Sequence, residues 1–257
     1  MIRFSLLGSG SSGNAILIAS PTGKILVDNG LSLRKLQERA AGLHMDVSDL
    51  KAVFVTHEHM DHVNGIGVLA RRFDAPVFMT AGTYENLPEG VGKIPRLELF
   101  DPGDTINVDG LEVTSFSVSH DAADPVNYVV RSGGVQLGLA GDLGHASHLV
   151  KNRLAGSHGL VLESNYCPDM LKKGSYPYAV QQRIRGNRGH LSNADMCGLL
   201  AGLVHDALRL VVLVHISEEN NTRRLAHDMA ARVIENHPAR VFVARQDRAT
   251  RLFEIAG

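Results

Sequence analysis

The run Ala52-Val53-Phe54-Val55 followed directly by Thr56-His57-Glu58-His59-Met60-Asp61-His62 constrains this chain more than any other stretch of it. An unbroken apolar tetrapeptide reads as a buried strand, and Gly65 a few residues on opens a helical pattern. Three imidazoles and a carboxylate are therefore delivered at the end of a rigid element. Residues i and i+2 of extended backbone point to one side, so His57 and His59 can converge on one cation. The turn that follows brings Asp61 and His62 back toward a second.

A metal pair needs further ligands, and each belongs at a strand end, where the scaffold holds a side chain still. Three residues meet that test. His120 follows the apolar run 113–119, Asp142 follows the run 135–140 through Gly141, and His215 closes the run 210–214. The expected division places His57, His59 and His120 on one ion, Asp61, His62 and His215 on the other, and Asp142 between them. Mixed nitrogen and oxygen ligation suits Zn²⁺ and also admits Mn²⁺ or Fe. Two such ions would acidify a shared water and offset charge on a phosphoryl or carbonyl oxygen, so hydrolysis is the implied chemistry. Asp28, ending the run 24–27, is a candidate to orient a ligand histidine. The loop Leu7-Gly8-Ser9-Gly10-Ser11-Ser12-Gly13-Asn14 either brings backbone N–H groups close to an anion or forms a tight hairpin.

Short apolar runs bounded by Gly, Asp or Pro predict strands over 2–7, 15–19, 24–28, 52–55, 76–79, 111–118, 126–130, 135–140, 159–162, 210–214 and 241–244. Helical patterns cover 32–41, 65–73, 146–154, 177–184, 192–205 and 222–236, several opened by a Ser or Thr cap. No linker or repeat interrupts them, so one α/β domain over 1–257 is expected, with 86–95 and 101–104 as surface turns. Hydrophobic residues at 44% and charged residues at 21% exclude disordered and fibrous classes. Two cysteines, Cys167 and Cys197, suit free thiols and a cytoplasmic setting. The most apolar window, 199–216, carries His205, Asp206 and Arg209, so no membrane span is expected.

HxHxDH after a strand, followed in order by His120, Asp142 and His215, resembles the metallo-β-lactamase superfamily. That resemblance implies an αββα four-layer sandwich of two mixed sheets flanked by helices, with the metals at one edge. Asp142 in the bridging position resembles the phosphodiesterase and glyoxalase-type branches. Leu162-Glu163-Ser164-Asn165, Gly174-Ser175-Tyr176-Pro177, Gly189-His190-Leu191-Ser192-Asn193 and His215-Ile216-Ser217-Glu218-Glu219-Asn220-Asn221 are similar to the YycJ/WalJ-type metal-dependent nucleases. A looser resemblance of Glu163 and His190 to the tRNA 3′-processing endonucleases implies a pair that assists phosphodiester cleavage. Only 73 positions separate Asp142 from His215, too few for the cap domain of the β-CASP nucleases. Leu143 stands where many relatives carry Thr.

The expected function is a binuclear phosphodiesterase acting on nucleic acid, DNA before RNA. A water shared by the ions is the nucleophile, Asp61 orients or deprotonates it, and His190, held by Glu163, assists the leaving group. Lys172, Lys173, Arg183, Arg185 and Arg188, interleaved with Tyr176 and Tyr178, suit a phosphate backbone and stacked bases. Ser11, Asn14, Arg183, Arg185, Arg188 and Asn220 are the candidate substrate-binding residues. Residues 1–150 carry net −6 and 151–257 net +5, which also points to an anionic partner for the second half. The near-neutral total of −1 keeps open a small substrate, a cyclic phosphodiester, thioester or lactone. Analogy also suggests a homodimer.

Overall fold

The computed structural model describes residues 1–256. Strands β1 (Ile2–Gly8), β2 (Ala15–Ala19) and β3 (Lys24–Val27) form an antiparallel meander. Strands β4 (Ala52–Phe54), β5 (Val77–Met79) and β6 (Leu97–Leu99) then extend the same sheet in parallel from β3. The second sheet repeats that plan. Strands β7 (Thr105–Val108), β8 (Leu111–Ser117), β9 (Val126–Ser132) and β10 (Val135–Ala140) pair antiparallel. Strands β11 (Gly159–Glu163), β12 (Leu210–Val214) and β13 (Arg240–Val243) add in parallel. Strand β14 (Phe253–Ile255) returns to the first sheet beside β1, giving two sheets of seven strands each among the described residues.

The period of two in a strand explains why β12 is apolar throughout. Leu210, Val212 and Val214 face the core between the sheets, whereas Val211 and Leu213 face the outer helices. Phe54 anchors the inter-sheet core, stacked on Phe78 at 5.0 Å and edge-on to Tyr128 at 5.6 Å. Helices α1 (Leu33–Ala41), α2 (Met60–Val63), α3 (Ile66–Phe73) and α4 (Ala81–Glu85) belong to the first half, and α1 and α3 bury Leu36, Ala40, Ile66 and Leu69 against its sheet. On the second sheet α5 (His148–Leu154), α8 (Asn193–Ala201) and α9 (Arg223–Val233) bury Val150, Leu154, Met196, Leu199, Ala226 and Ala230, while α6 (Pro168–Lys173) and α7 (Tyr178–Arg185) lie in the connection from β11 to α8. The layers are therefore helix, sheet, sheet, helix, as expected.

The structure adds β6, β7, β14, α2, α4 and α6 to the elements expected from sequence. The helix expected over 192–205 stops at Ala201, where Gly202 caps it, and the one expected over 222–236 stops at Val233. Among the described residues no helix is long and apolar enough to cross a membrane, and Cys167 and Cys197 are free.

Candidate metal centre

Apart from Asp61 and His62, which sit on α2, every ligand-type residue singled out above emerges just past the C-terminal end of a strand, the end where open α/β sheets bind their ligands. Asp28 follows β3, His57 and His59 follow β4, His120 follows β8, Asp142 follows β10 and His215 follows β12. Asp28, Asp142 and His215 have φ of +58°, +49° and +55°, the left-handed conformation that turns the chain sharply out of a strand and that side chains adopt at a cost. The histidine loop itself is backed by glycine. A Cβ on Gly30 would lie 1.9 Å from the carbonyl oxygen of Asp61, so only glycine lets the two backbones meet.

Four donor sets gather within 4.8 Å among the described residues: His57, His59 and His120; Asp61, His62 and His215; His57, His62 and Asp142; and Asp142, Glu163, His190 and His215. His57 Nε2 stands 3.1 Å and His120 Nε2 3.4 Å from His59 Nδ1. Asp61 Oδ2 lies 3.5 Å from His62 Nε2 and 3.6 Å from His215 Nε2. Asp142 lies against the second set, with Oδ2 3.1 Å from His62 Nε2 and Oδ1 3.2 Å from His215 Nδ1, and its carboxylate is also within 4.8 Å of a His57 ring nitrogen of the first.

The opposite nitrogen of each ring is anchored, which fixes the orientation of all five. His57 Nδ1 meets Thr56 Oγ1 at 2.9 Å, and His62 Nδ1 meets Asp28 Oδ2 at 2.8 Å. His120 Nδ1 meets the Gly189 carbonyl at 3.1 Å, His59 Nε2 the Asp121 carbonyl at 2.9 Å, and His215 Nδ1 the Glu163 carboxylate at 3.1 Å. His215 Nε2 is buried with no hydrogen-bond partner. A buried orphan nitrogen beside two carboxylates and clustered imidazole nitrogens fits a divalent cation, because the donor set supplies the lone pairs such an ion takes. Asp28 accepts from both the Thr56 amide and its hydroxyl at 2.8 Å, so it positions the whole loop as well as His62.

The electrostatics run the same way. Burial pushes the His62 imidazole pKa down, but the Asp28 and Asp142 carboxylates outweigh it and hold it well above its ordinary value. His215 is likewise raised by Asp142, Asp61 and Glu163 against the effect of burial. Burial and the neighbouring imidazoles push His57 well below the usual value, and burial lowers His120. Burial opposes ionisation of Asp142, yet His215 and His62 hold its carboxyl well below the usual range.

Glu163 is wholly buried, and its Oε1 lies 2.6 Å from His190 Nδ1. Its Oε2 accepts the amides of Leu143 and Leu191 at 3.0 and 3.2 Å, tying the turn after Asp142 to the turn before α8. Burial raises its carboxyl and the His190 charge more than offsets that, leaving it lowered.

The candidate substrate residues divide. Ser11, Arg183 and Arg188 line the 320 Å³ cavity over the donor sets, with Met60 and Asp121. Arg188 is also a brace, donating to the carbonyls of His120 and Ala122 at 3.1 and 3.2 Å. Asn14 is turned onto the centre itself, its Nδ2 3.1 Å from Asp61 Oδ2 and 2.9 Å from His62 Nε2. Arg185 is exposed and does not line the cavity. Asn220 is 2% exposed, packed against Gly174, and is not brought to the centre. The anchors Thr56, Gly189 and Asp121 escape sequence reasoning because two of them act through carbonyls that any residue carries.

Residues 23–216 match the β-lactamase superfamily domain. With two seven-stranded sheets between helices and paired donor sets at their shared edge, the chain belongs to the metallo-β-lactamase superfamily of hydrolases. Within it, the chain is 36% identical over 236 residues to exodeoxyribonuclease YycJ of Bacillus anthracis, covering 91% of this chain and 89% of that one. It is 33% identical over 229 residues to exodeoxyribonuclease WalJ of Streptococcus pneumoniae, covering 88% and 85%. The metallo-β-lactamase fold protein YhfI of Bacillus subtilis superposes with a TM-score of 0.75 at 17% identity, covering 97% of this chain and 98% of that one. Zn²⁺-bound PqqB of Methylobacterium extorquens does so with 0.72 at 20%, covering 96% and 99%. The last two show shared fold alone.

Proposed function

We propose that this protein is a binuclear metal-dependent phosphodiesterase that cleaves DNA, taking two Zn²⁺ or Mn²⁺ ions per chain, with Fe as the remaining candidate. The observation that carries the reading is the donor geometry: two histidine-rich sets lie side by side with Asp142 against His57 of one and His62 of the other, and an imidazole held by a buried carboxylate stands beside them. His57, His59 and His120 would hold one ion, Asp61, His62 and His215 the other, with Asp142 shared. Bound there, the ions supply an acidified water and charge compensation at phosphorus. Similarity to two proteins named exodeoxyribonucleases supports DNA as the substrate.

The chain's own residues do the rest. Asp61, with one oxygen beside Asn14, orients the attacking water and accepts its proton. His190, with Nδ1 on Glu163, presents Nε2 to the leaving oxygen and donates a proton to it. Arg183 and Ser11 hold the flanking phosphate within the cavity.

The test is incubation of metal-loaded protein with end-labelled DNA, end-labelled RNA and bis-p-nitrophenyl phosphate beside His59→Ala. Cleavage of DNA by the parent and none by the variant supports the reading. Turnover of the small diester with both polymers left intact overturns it in favour of a small-substrate hydrolase.

A further inference from the structure

The groove does not end at the metal centre. The 320 Å³ cavity over the donor sets adjoins a second of 410 Å³, with Ser11, Arg183, Ile184 and His190 walling both. The second adjoins a third of 580 Å³ across Ser217, Glu218 and Gln246. Volumes of this size each suit a ligand fragment, and three in file suit a chain of them. The glycine-serine loop walls the whole length: Ser11 at the centre, Gly10 and Ser12 beside the second cavity, Ser9 at the third. Gln246 props that loop, accepting the Ser12 amide at 3.3 Å and filling the space a Cβ on Gly10 would need.

The third cavity ends on Arg223, Arg224 and Arg245. Arg245 is occupied by Asp247 at 2.8 Å. Arg223 and Arg224 are exposed and, among the described residues, neither forms an ion pair. They open α9, the end of a helix where cations are disfavoured by its dipole, so helix stability does not account for them. Glu218 on the rim and Asp247 beside Arg245 keep this patch from being a broad basic surface, and Arg223 and Arg224 are the arginines lining it that form no ion pair among the described residues.

We propose that Arg223 and Arg224 form a distal phosphate subsite, holding the backbone of a single nucleic-acid strand whose scissile linkage lies over the metal centre. The groove is walled by the serine loop on one side and by α7 with the 216–219 turn on the other. This inference rests on the nuclease reading and specifies its substrate: a strand long enough to reach from the centre to α9.

The test measures fluorescence anisotropy of labelled thymidylate oligomers, two and ten nucleotides long and joined by a cleavage-resistant methylphosphonate linkage at the label-distal end and phosphorothioate linkages elsewhere, with the metal-loaded protein. Arg223→Glu/Arg224→Glu is compared with the parent and with Arg232→Glu/Arg240→Glu, which makes the same charge change at exposed positions away from the groove. The expected result is about tenfold weaker binding of the ten-mer by the first variant only, a salt dependence shallower by about 1.4, and an unchanged dinucleotide. Thermal melting confirms that each variant is folded. Equal ten-mer affinity in parent and first variant overturns the proposal, as does equal weakening by the control pair or of the dinucleotide. A parent that binds neither oligomer and leaves unmodified end-labelled DNA intact overturns the nuclease reading with it, whereas a parent that binds the ten-mer and cleaves unmodified DNA while the first variant matches it in both removes only the distal subsite.

Discussion

Glu163 Oε1 lies 2.6 Å from His190 Nδ1 and 3.1 Å from His215 Nδ1, so one buried carboxylate orients both the histidine proposed as a metal ligand and the one proposed to serve the leaving group. A leaving oxygen of a nucleotide needs a proton, whereas p-nitrophenolate leaves without one. His190→Ala is expected to lower kcat on DNA by about 10²–10⁴ and to change bis-p-nitrophenyl phosphate turnover far less. Equal loss on both substrates removes the proton-donor role.

Asp28 accepts from Thr56 twice and from His62 once. Asp28→Ala leaves the His62 ring free to turn and the Thr56 amide unpaired. Metal affinity, read by competition with a chromogenic chelator, is expected to fall about 10–100-fold while both sheets stay folded by circular dichroism.

The metal-free protein is expected to be most stable near pH 6.5. His62 and His215, raised in the folded state, contribute stability that is complete below the unfolded pKa and is lost as pH rises through the folded value. His57 and His120, lowered, contribute stability that is lost as pH falls below about 6.5. Melting temperature in EDTA across pH 5–9 checks the dome. Metal must displace the protons on His62 and His215, so metal affinity rises with pH over the range in which metal-free stability declines.

Gly30→Ala forces a methyl group onto the Asp61 carbonyl. About 1–3 kcal/mol of stability is expected to be lost, with metal occupancy by elemental analysis falling as well. A variant with parental melting and full metal content contradicts the close approach.

Arg183 lines the cavity and Arg185, two residues on, does not. Arg183→Ala is expected to raise KM for DNA several-fold with kcat retained, and Arg185→Ala to behave like the parent.

Much of this was legible because chemistry and strand ends coincide in the sequence. The run 52–55 announces β4, and Asp142 and His215 each close an apolar run, so distant ligands could be matched before any contact was known. What could not be read is non-local or carried by backbone. Strand β14 has three residues and pairs with β1 from the other end of the chain, and β6 and β7 are short and half-polar. Proline at the first position of α6 reads as a breaker although it starts a helix well. Asn220 lies within a motif but under the surface, where only packing against Gly174 reveals it.

Neither donor triad is completed within one sheet. His57 and His59 come from the first half and need His120 from the second, and Asp61 and His62 need His215. A chain that has folded only one half, or has docked the halves out of register, holds an incomplete donor set. Under the proposed assignment of the triads, hydrolytic power would be withheld until assembly is finished, and a growing or damaged chain would not be a stray hydrolase. On that assignment the edge where the sheets meet would act as a checkpoint on the folding of the molecule that carries it.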